Sequence, residues 1–142
     1  RTWVTRSGVH VDRIACAWLI RRFIDPDATF RFVDGRSYAP QKDELRFDMA
    51  DAEFTHEGDN CSFETLVARC GLTDDPALVA IAEIIHDLDI ADGKFARPET
   101  AGLGAMLSGV CASTDDDLQR IATASEALNQ FHAYFSNGKA DR

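Results

Sequence analysis

Two histidines of this chain each lie in a short run that also carries carboxylates. The first is His56, in a segment that continues to Glu64, and the second is His86, which Asp87 and Asp89 follow within one helical turn. Imidazole and carboxylate groups suit zinc, manganese and ferrous iron, and the sequence does not choose among these ions. We therefore predict a divalent-cation site formed by four side chains: His56, Glu64, His86 and Asp89.

Residues 81–92 carry the strongest single signal for such a site. Read as a helix, they form a broad apolar arc, and Asp89 falls on the buried side of that arc, three residues after His86. An unpaired buried carboxylate is strongly unfavourable, so a cation shared with His86 would explain its position. The plainer alternative is that Asp89 pairs with an arginine or caps a neighbouring helix.

Three further residues are candidates for catalysis or anion binding at the same site: Asp12, Arg13 and Asp87. Asp12 lies in the first turn of a predicted helix, where the helix dipole alone would also account for an acid. An open position on the metal could activate water or bind a small oxyanion. The sequence leaves open whether the protein is a metal-containing sensor, a hydrolytic or redox metalloenzyme, or a structural module that holds only salt bridges.

The composition is that of one globular domain spanning residues 1–142, with 45% hydrophobic and 27% charged residues. Because the chain begins at Arg1, it is compatible with being the C-terminal part of a longer protein. No apolar run approaches the ~20 residues of a membrane helix. The net charge of −9 argues against binding nucleic acid through its backbone. The acidity is uneven, since residues 1–36 are net basic and could attract a small oxyanion.

The four cysteines form no CxxC pair, which argues against zinc fingers and disulfides and favours the reducing cytoplasm. A homodimer is one arrangement that the sequence leaves open.

The hydrophobic patterning predicts an α+β fold. Residues 3–5 and 29–33 alternate as strands do and flank an almost entirely apolar helix at 9–24, which together form an N-terminal βαβ unit. Short strands are expected at 45–47 and 52–54. Four further helices are expected, from 60–62 to 70, 76 to 92, 97 to 110 and 114 to 135, with a tail from Ser136. We predict about five helices around a small three- to four-stranded mixed sheet.

Three segments are together similar to one known family. They read WVTRSGVHVDRIACAWLIRRFIDPDATFRFV (3–33), FTHEGDNCSFETL (54–66) and IIHDLDIADG (84–93). From residue 3 to about 111 the chain resembles the chromate-resistance ChrB-type domain, the C-terminal domain of ChrB-like proteins. That resemblance implies a link to chromate resistance, often within a chromate-responsive regulator, and so a small oxyanion such as chromate as partner.

The resemblance also bears on the candidate residues, which fall within three short motifs of the family. Asp12 and Arg13 lie in its DRxA motif, His56 and Glu64 in its HxGxxCxFE motif, and residues 86–89 form its HDxD motif.

Overall fold

In the computed structural model, which describes residues 1–137, a three-stranded sheet forms one side of the domain. Its strands are β1 (Thr2–Arg6), β2 (Thr29–Val33) and β3 (Glu44–Arg46). The strand order is β2–β1–β3, and β1 pairs in parallel with both neighbours. The sheet therefore contains three strands of the three to four predicted.

The prediction of a mixed sheet is wrong, because all three strands run parallel. The segment 34–43 is long enough to return the chain to the edge of the sheet where β1 begins, so β3 starts there and runs in the same direction. The expected strand at 52–54 is reduced to one bridge between Phe47 and Phe54. Asp48 and Asp51 have φ angles of +49° and +59°, which turn the chain out of the extended conformation between the two phenylalanines.

Within the described residues the prediction of five α-helices is confirmed. They are α1 (Val11–Leu19), α2 (Ser62–Arg69), α3 (Pro76–Ile90), α4 (Thr100–Ser113) and α5 (Asp117–Ser136). α1 continues into a π-helical segment, Ile20–Ile24. β1, α1 and β2 form the predicted βαβ unit. α5 includes Ser136, and the rest of the predicted tail, beyond Asn137, lies outside the described residues.

The core is built around α1, because every residue from Ile14 to Ile20 is buried. The helix packs against α2, α3 and α5, and the Trp18 indole stacks on the Phe63 ring of α2 with 6.4 Å between ring centroids. Asp12 is the exception on this helix, since it is charged and yet only 3% exposed. A buried carboxylate at the junction of α1, α2 and α3 requires polar partners.

None of the helices in residues 1–137 combines the length and the apolar character that a membrane span needs. All four cysteines are free thiols.

Candidate metal centre

The buried carboxylate of Asp12 meets its first partners at the N-terminus of α2. Its two oxygens accept hydrogen bonds from the backbone N–H groups of Ser62, at 2.9 Å, and Phe63, at 3.0 Å. These N–H groups belong to the first turn of a helix and have no partner within it. Asp12 therefore caps α2 from another helix, and the positive end of the α2 dipole stabilises its charge.

His56, in the loop before α2, lies between the Asp12 carboxylate and a carboxylate of α3, that of Asp89. Its Nε2 atom lies 3.4 Å from Oδ2 of Asp12 and 3.1 Å from Oδ2 of Asp89. Asp12, His56 and Asp89 each offer one ligand atom, and these atoms all lie within 4.8 Å of one another. Ligands about 2.1 Å from an octahedral cation are about 3 Å apart across a right angle, so the spacing also fits a bound ion.

Asp48 completes the group, which we call the Asp12 cluster: Asp12, Asp48, His56 and Asp89. Oδ1 of Asp48 lies 3.9 Å from Nε2 of His56 and accepts a hydrogen bond of 2.7 Å from the Ser62 hydroxyl. The Arg13 guanidinium donates to the main-chain carbonyl of Asp48 and pairs with its carboxylate, both at 3.1 Å. Arg13 is thus the permanent positive charge beside three carboxylates.

The electrostatic state of the Asp12 cluster is dominated by negative charge. Burial, and then the charge of Asp12, raise the pKa of both Asp48 and Asp89. The hydrogen bond to Asp12, with the charges of the neighbouring carboxylates, raises the pKa of His56 to about 9. Without another cation, His56 is therefore protonated at neutral pH, and two carboxyl groups are held where their ionised form is disfavoured.

A polar cavity of about 200 Å³ opens beside the Asp12 cluster. Its walls come from α1, from α3 and from the turn after β3; the lining residues are His10, Val11, Asp12, Arg13, Asp48, Leu88 and Asp89. The carboxylates therefore face a space that could hold water or a small anion next to a cation.

The second predicted histidine belongs to a separate group. The fully buried imidazole of His86 lies between Glu64, with 2.5 Å from Nδ1 to Oε1, and Asp92, with 3.0 Å from Nε2 to Oδ2. Burial lowers the pKa of His86, but its hydrogen bonds to the two carboxylates outweigh burial and raise it. Glu64 also accepts a hydrogen bond from the Cys61 N–H at 2.9 Å. This arrangement ties the start of α2 to the end of α3.

The Asp87 side chain points toward the turn that follows α3. Its carboxylate accepts hydrogen bonds from the N–H groups of Phe95, at 3.1 Å, and Ala96, at 2.7 Å. His86, Asp87 and Asp92 also offer ligand atoms within 4.8 Å of one another, which makes this a second possible grouping for a cation.

The structure thus divides the four predicted ligands between two places. His56 and Asp89 lie together, with Asp12 and Arg13, whereas Glu64 and His86 lie together with Asp92. The prediction that Asp89 lies on the buried side of its helix is wrong: the residue is exposed, because it lies near the end of α3 and lines an open cavity. In residues 1–137 no group of three ligand atoms includes both histidines.

Sequence reasoning missed Asp48 and Asp92. Asp92 lies just past the end of α3, and its carboxylate returns to the histidine six residues before it. Asp48 follows a strand and has a positive φ angle, and aspartate is one of the residues that tolerate this conformation. The signal in the sequence that could have identified Asp48 is an acidic residue at the turn after a predicted strand.

The nearby thiols are poor candidates for metal ligands. Cys16 and Cys61 are fully buried, and burial followed by the charge of Asp12 raises the pKa of both. The Cys16 thiol donates to Asp12 with 3.6 Å between sulfur and oxygen. Because only a thiolate binds metal well, the candidate donors here are carboxylates and imidazole.

Helical packing, the parallel βαβ unit and the acidic cluster at the junction of α1, α2 and α3 define an α+β domain with a His/carboxylate site. Residues 3–135 match the family described as ChrB, C-terminal domain, and the chain belongs to this family. The resemblance that the three motifs predict is therefore confirmed.

One relative is Protein ChrB of Cupriavidus metallidurans (strain ATCC 43123 / DSM 2839 / NBRC 102507 / CH34), which is 41% identical over 137 residues. The aligned part is 96% of this chain but 41% of that protein, so the chain spans about two-fifths of the length of its relative. No solved structure matches the chain.

Proposed function

We propose that this domain holds a divalent cation at Asp12, His56 and Asp89, with Asp48 beside it, and that the bound cation serves the chromate response. The observation that supports this most is uncompensated negative charge. Three carboxylates converge on one imidazole, and the one arginine at the cluster is paired with Asp48. Burial and mutual repulsion raise the pKa of Asp48 and Asp89, which is the electrostatic situation that a bound cation relieves.

The donor set fits a transition ion such as Mn²⁺, Fe²⁺ or Zn²⁺. Carboxylate oxygens suit the harder ions, and an imidazole nitrogen adds affinity for the later ones. Oδ1 of Asp12 accepts from the Phe63 N–H and from the Cys16 thiol, whereas Oδ2 accepts from the Ser62 N–H and keeps a second lone pair on the side of His56 for a metal. The α2 backbone would then orient this ligand from outside the coordination sphere.

In this proposal Glu64 and His86 support the site rather than bind the ion. Glu64 satisfies the Cys61 N–H, and Asp12 satisfies the next two N–H groups of the same helix start. The loop that carries His56 ends at this helix start. His86 holds Glu64 in place and thereby fixes the end of that loop.

An oxyanion such as chromate would bind only after the cation. A dianion is repelled by three carboxylates, and Arg13 is already engaged with Asp48. With the cation in place, the cavity beside Arg13 offers an open coordination position next to a guanidinium. We therefore place oxyanion recognition in the metal-loaded state of the domain.

The test is isothermal titration of the full chain, freed of metal by chelation, with MnCl₂ and ZnCl₂. Wild-type protein is expected to bind one equivalent, and Asp89→Asn to lose that binding. The matched control is Asp92→Asn, which removes a carboxylate near the end of the same helix but belongs to the His86 group.

Each result has a defined meaning. Loss of binding in Asp92→Asn, with Asp89→Asn unaffected, would move the ion to His86, Asp87 and Asp92. If wild-type protein binds neither ion, the cluster is a network of salt bridges around a protonated His56. Titration with chromate and with sulfate, before and after metal loading, tests whether the anion depends on the cation.

A further inference from the structure

The residues that line the cavity beside the Asp12 cluster include a further histidine, His10. His10 is exposed and occupies the N-cap position of α1, two residues before Asp12, yet its side chain makes no capping hydrogen bond. Across residues 1–137 its ring has no hydrogen-bond, ion-pair or aromatic partner. His10 is not among the residues whose ligand atoms lie within 4.8 Å of one another, so its ring would have to turn toward the cluster to bind an ion. A side chain without a polar partner is free to make that turn.

The backbone that carries this imidazole is held in place. The N–H groups of Gly8 and Val9 donate to the Asp117 carboxylate at 3.1 and 2.8 Å, and Arg120 donates to the Val9 carbonyl at 2.9 Å. The His10 carbonyl accepts the first hydrogen bond of α1, from Ile14, at 2.7 Å. Main-chain position is thus fixed on both sides of His10, while the side chain can turn about its own torsions at little cost.

We propose that His10 is a second nitrogen ligand of the cation held by Asp12, His56 and Asp89, and that it sets the site's choice of metal. This inference rests on the proposed function. A site of three carboxylates and one imidazole is close to what Mn²⁺ and Mg²⁺ accept, whereas two imidazoles favour Zn²⁺, Co²⁺ and Ni²⁺. His10 would bind by closing over the open side of the cavity, where the other ligands leave space.

X-ray absorption spectroscopy of the full chain loaded with Zn²⁺ gives a direct test, because it counts the imidazoles bound to the metal. Two are expected in wild-type protein and one in His10→Gln. The same variant should weaken Zn²⁺ binding by about tenfold or more, a loss at least as large as that of an outer-shell partner. The same variant should lose less affinity for Mn²⁺, so the ratio of Zn²⁺ affinity to Mn²⁺ affinity should fall.

His132→Gln is the matched control, because His132 pairs with Asp75 at 2.9 Å, outside the Asp12 cluster, and should leave both affinities unchanged. His10 is exposed and has no side-chain partner in residues 1–137, so its replacement should leave the thermal midpoint of the metal-free protein unaltered. One bound imidazole in wild-type protein, or an unchanged ratio of Zn²⁺ to Mn²⁺ affinity in His10→Gln, would overturn the role of His10 and leave the proposed cation site standing. Absence of metal binding in wild-type protein would overturn both.

Discussion

Asp12 and Asp89 belong to the same cluster, but their surroundings act in opposite directions on the ionised form of the carboxyl group. Asp12 is buried, but two backbone N–H groups at a helix N-terminus favour its ionised form. Asp89 accepts no backbone hydrogen bond from the described residues, and its carboxylate faces both Asp12 and His56. A carboxylate kept where its charge is disfavoured is typical of a functional site.

This difference predicts the effect of Asp89→Asn on the metal-free protein. Burial and the charge of Asp12 raise the pKa of Asp89 despite the attraction of His56, so the folded chain disfavours its ionised form. We expect the thermal midpoint at pH 7 in a chelating buffer to stay equal or to rise. Asp92→Asn should lower it, because the hydrogen bond from His86 lowers the pKa of Asp92 and thus favours its charge. A clear loss of stability in Asp89→Asn would instead identify Asp89 as a structural partner of His56.

The titration of His56 predicts a pH dependence of stability. Its pKa is about 9 in the folded chain and ordinarily 6.5, so the folded state holds its proton more tightly. The resulting stabilisation is fully present below pH 6.5 and disappears as the pH rises through 9. In metal-free protein the thermal midpoint should therefore fall between these values, and His56→Gln should show a smaller decrease.

His86 also has a raised pKa and contributes a decrease of the same sign, so the difference between wild type and His56→Gln isolates His56. Equal slopes in wild-type protein and His56→Gln would contradict the protonated state assigned to His56.

At the scale of elements, the site depends on how α3 meets its neighbours. His86 and Asp89 are three residues apart on this helix, yet His86 contacts Glu64 of α2 and Asp89 contacts the His56 loop beside α1. α4 packs on α3 in turn, through Leu88, which also lines the site's cavity. A displacement of α4 would therefore move Leu88 and so change the wall of the cavity beside the Asp12 cluster.

Two glycines of α4 allow this contact to be tested. Nothing lies within 4 Å of a Cβ atom added at Gly102, whereas one added at Gly104 would lie 2.8 Å from Cδ2 of Leu88. Gly102→Ala should stabilise the protein by about 0.5–1 kcal/mol through higher helix propensity. Gly104→Ala should gain less, because Leu88 must move. Urea unfolding measures both, and an equal gain in the two variants would show that the α4 contact on Leu88 is loose.

Local sequence patterns predicted the helices and strands well, but they predicted contacts between residues distant in the sequence less well. The cap at Asp75, followed by Pro76, marks the start of α3 in the sequence and in the structure. The placement of His86 and His56 in separate groups was not predictable, because it depends on which element packs against each face of α3. The parallel direction of β3 likewise depends on where the segment 34–43 crosses the sheet, and turn residues do not encode that path.

At the scale of the whole molecule, a net charge of −9 means that any cation should stabilise the fold to some extent. Screening by monovalent salt acts over a Debye length of about 10 Å at 0.1 M and requires no site. A bound ion acts differently, since it adds about 1.4 kcal/mol for each tenfold increase in concentration above its dissociation constant. The two effects are separable by concentration and by mutation.

We therefore expect two distinct increases in the thermal midpoint of wild-type protein. Micromolar to millimolar Mn²⁺ should raise it continuously with the logarithm of concentration, and NaCl should raise it only at tens to hundreds of millimolar. Asp89→Asn should keep the NaCl response and lose the Mn²⁺ response, because it removes one charge of many but one ligand of few. A variant that retains both responses would mean that Mn²⁺ acts on the acidic surface as a whole, and that the Asp12 cluster is not where the ion binds.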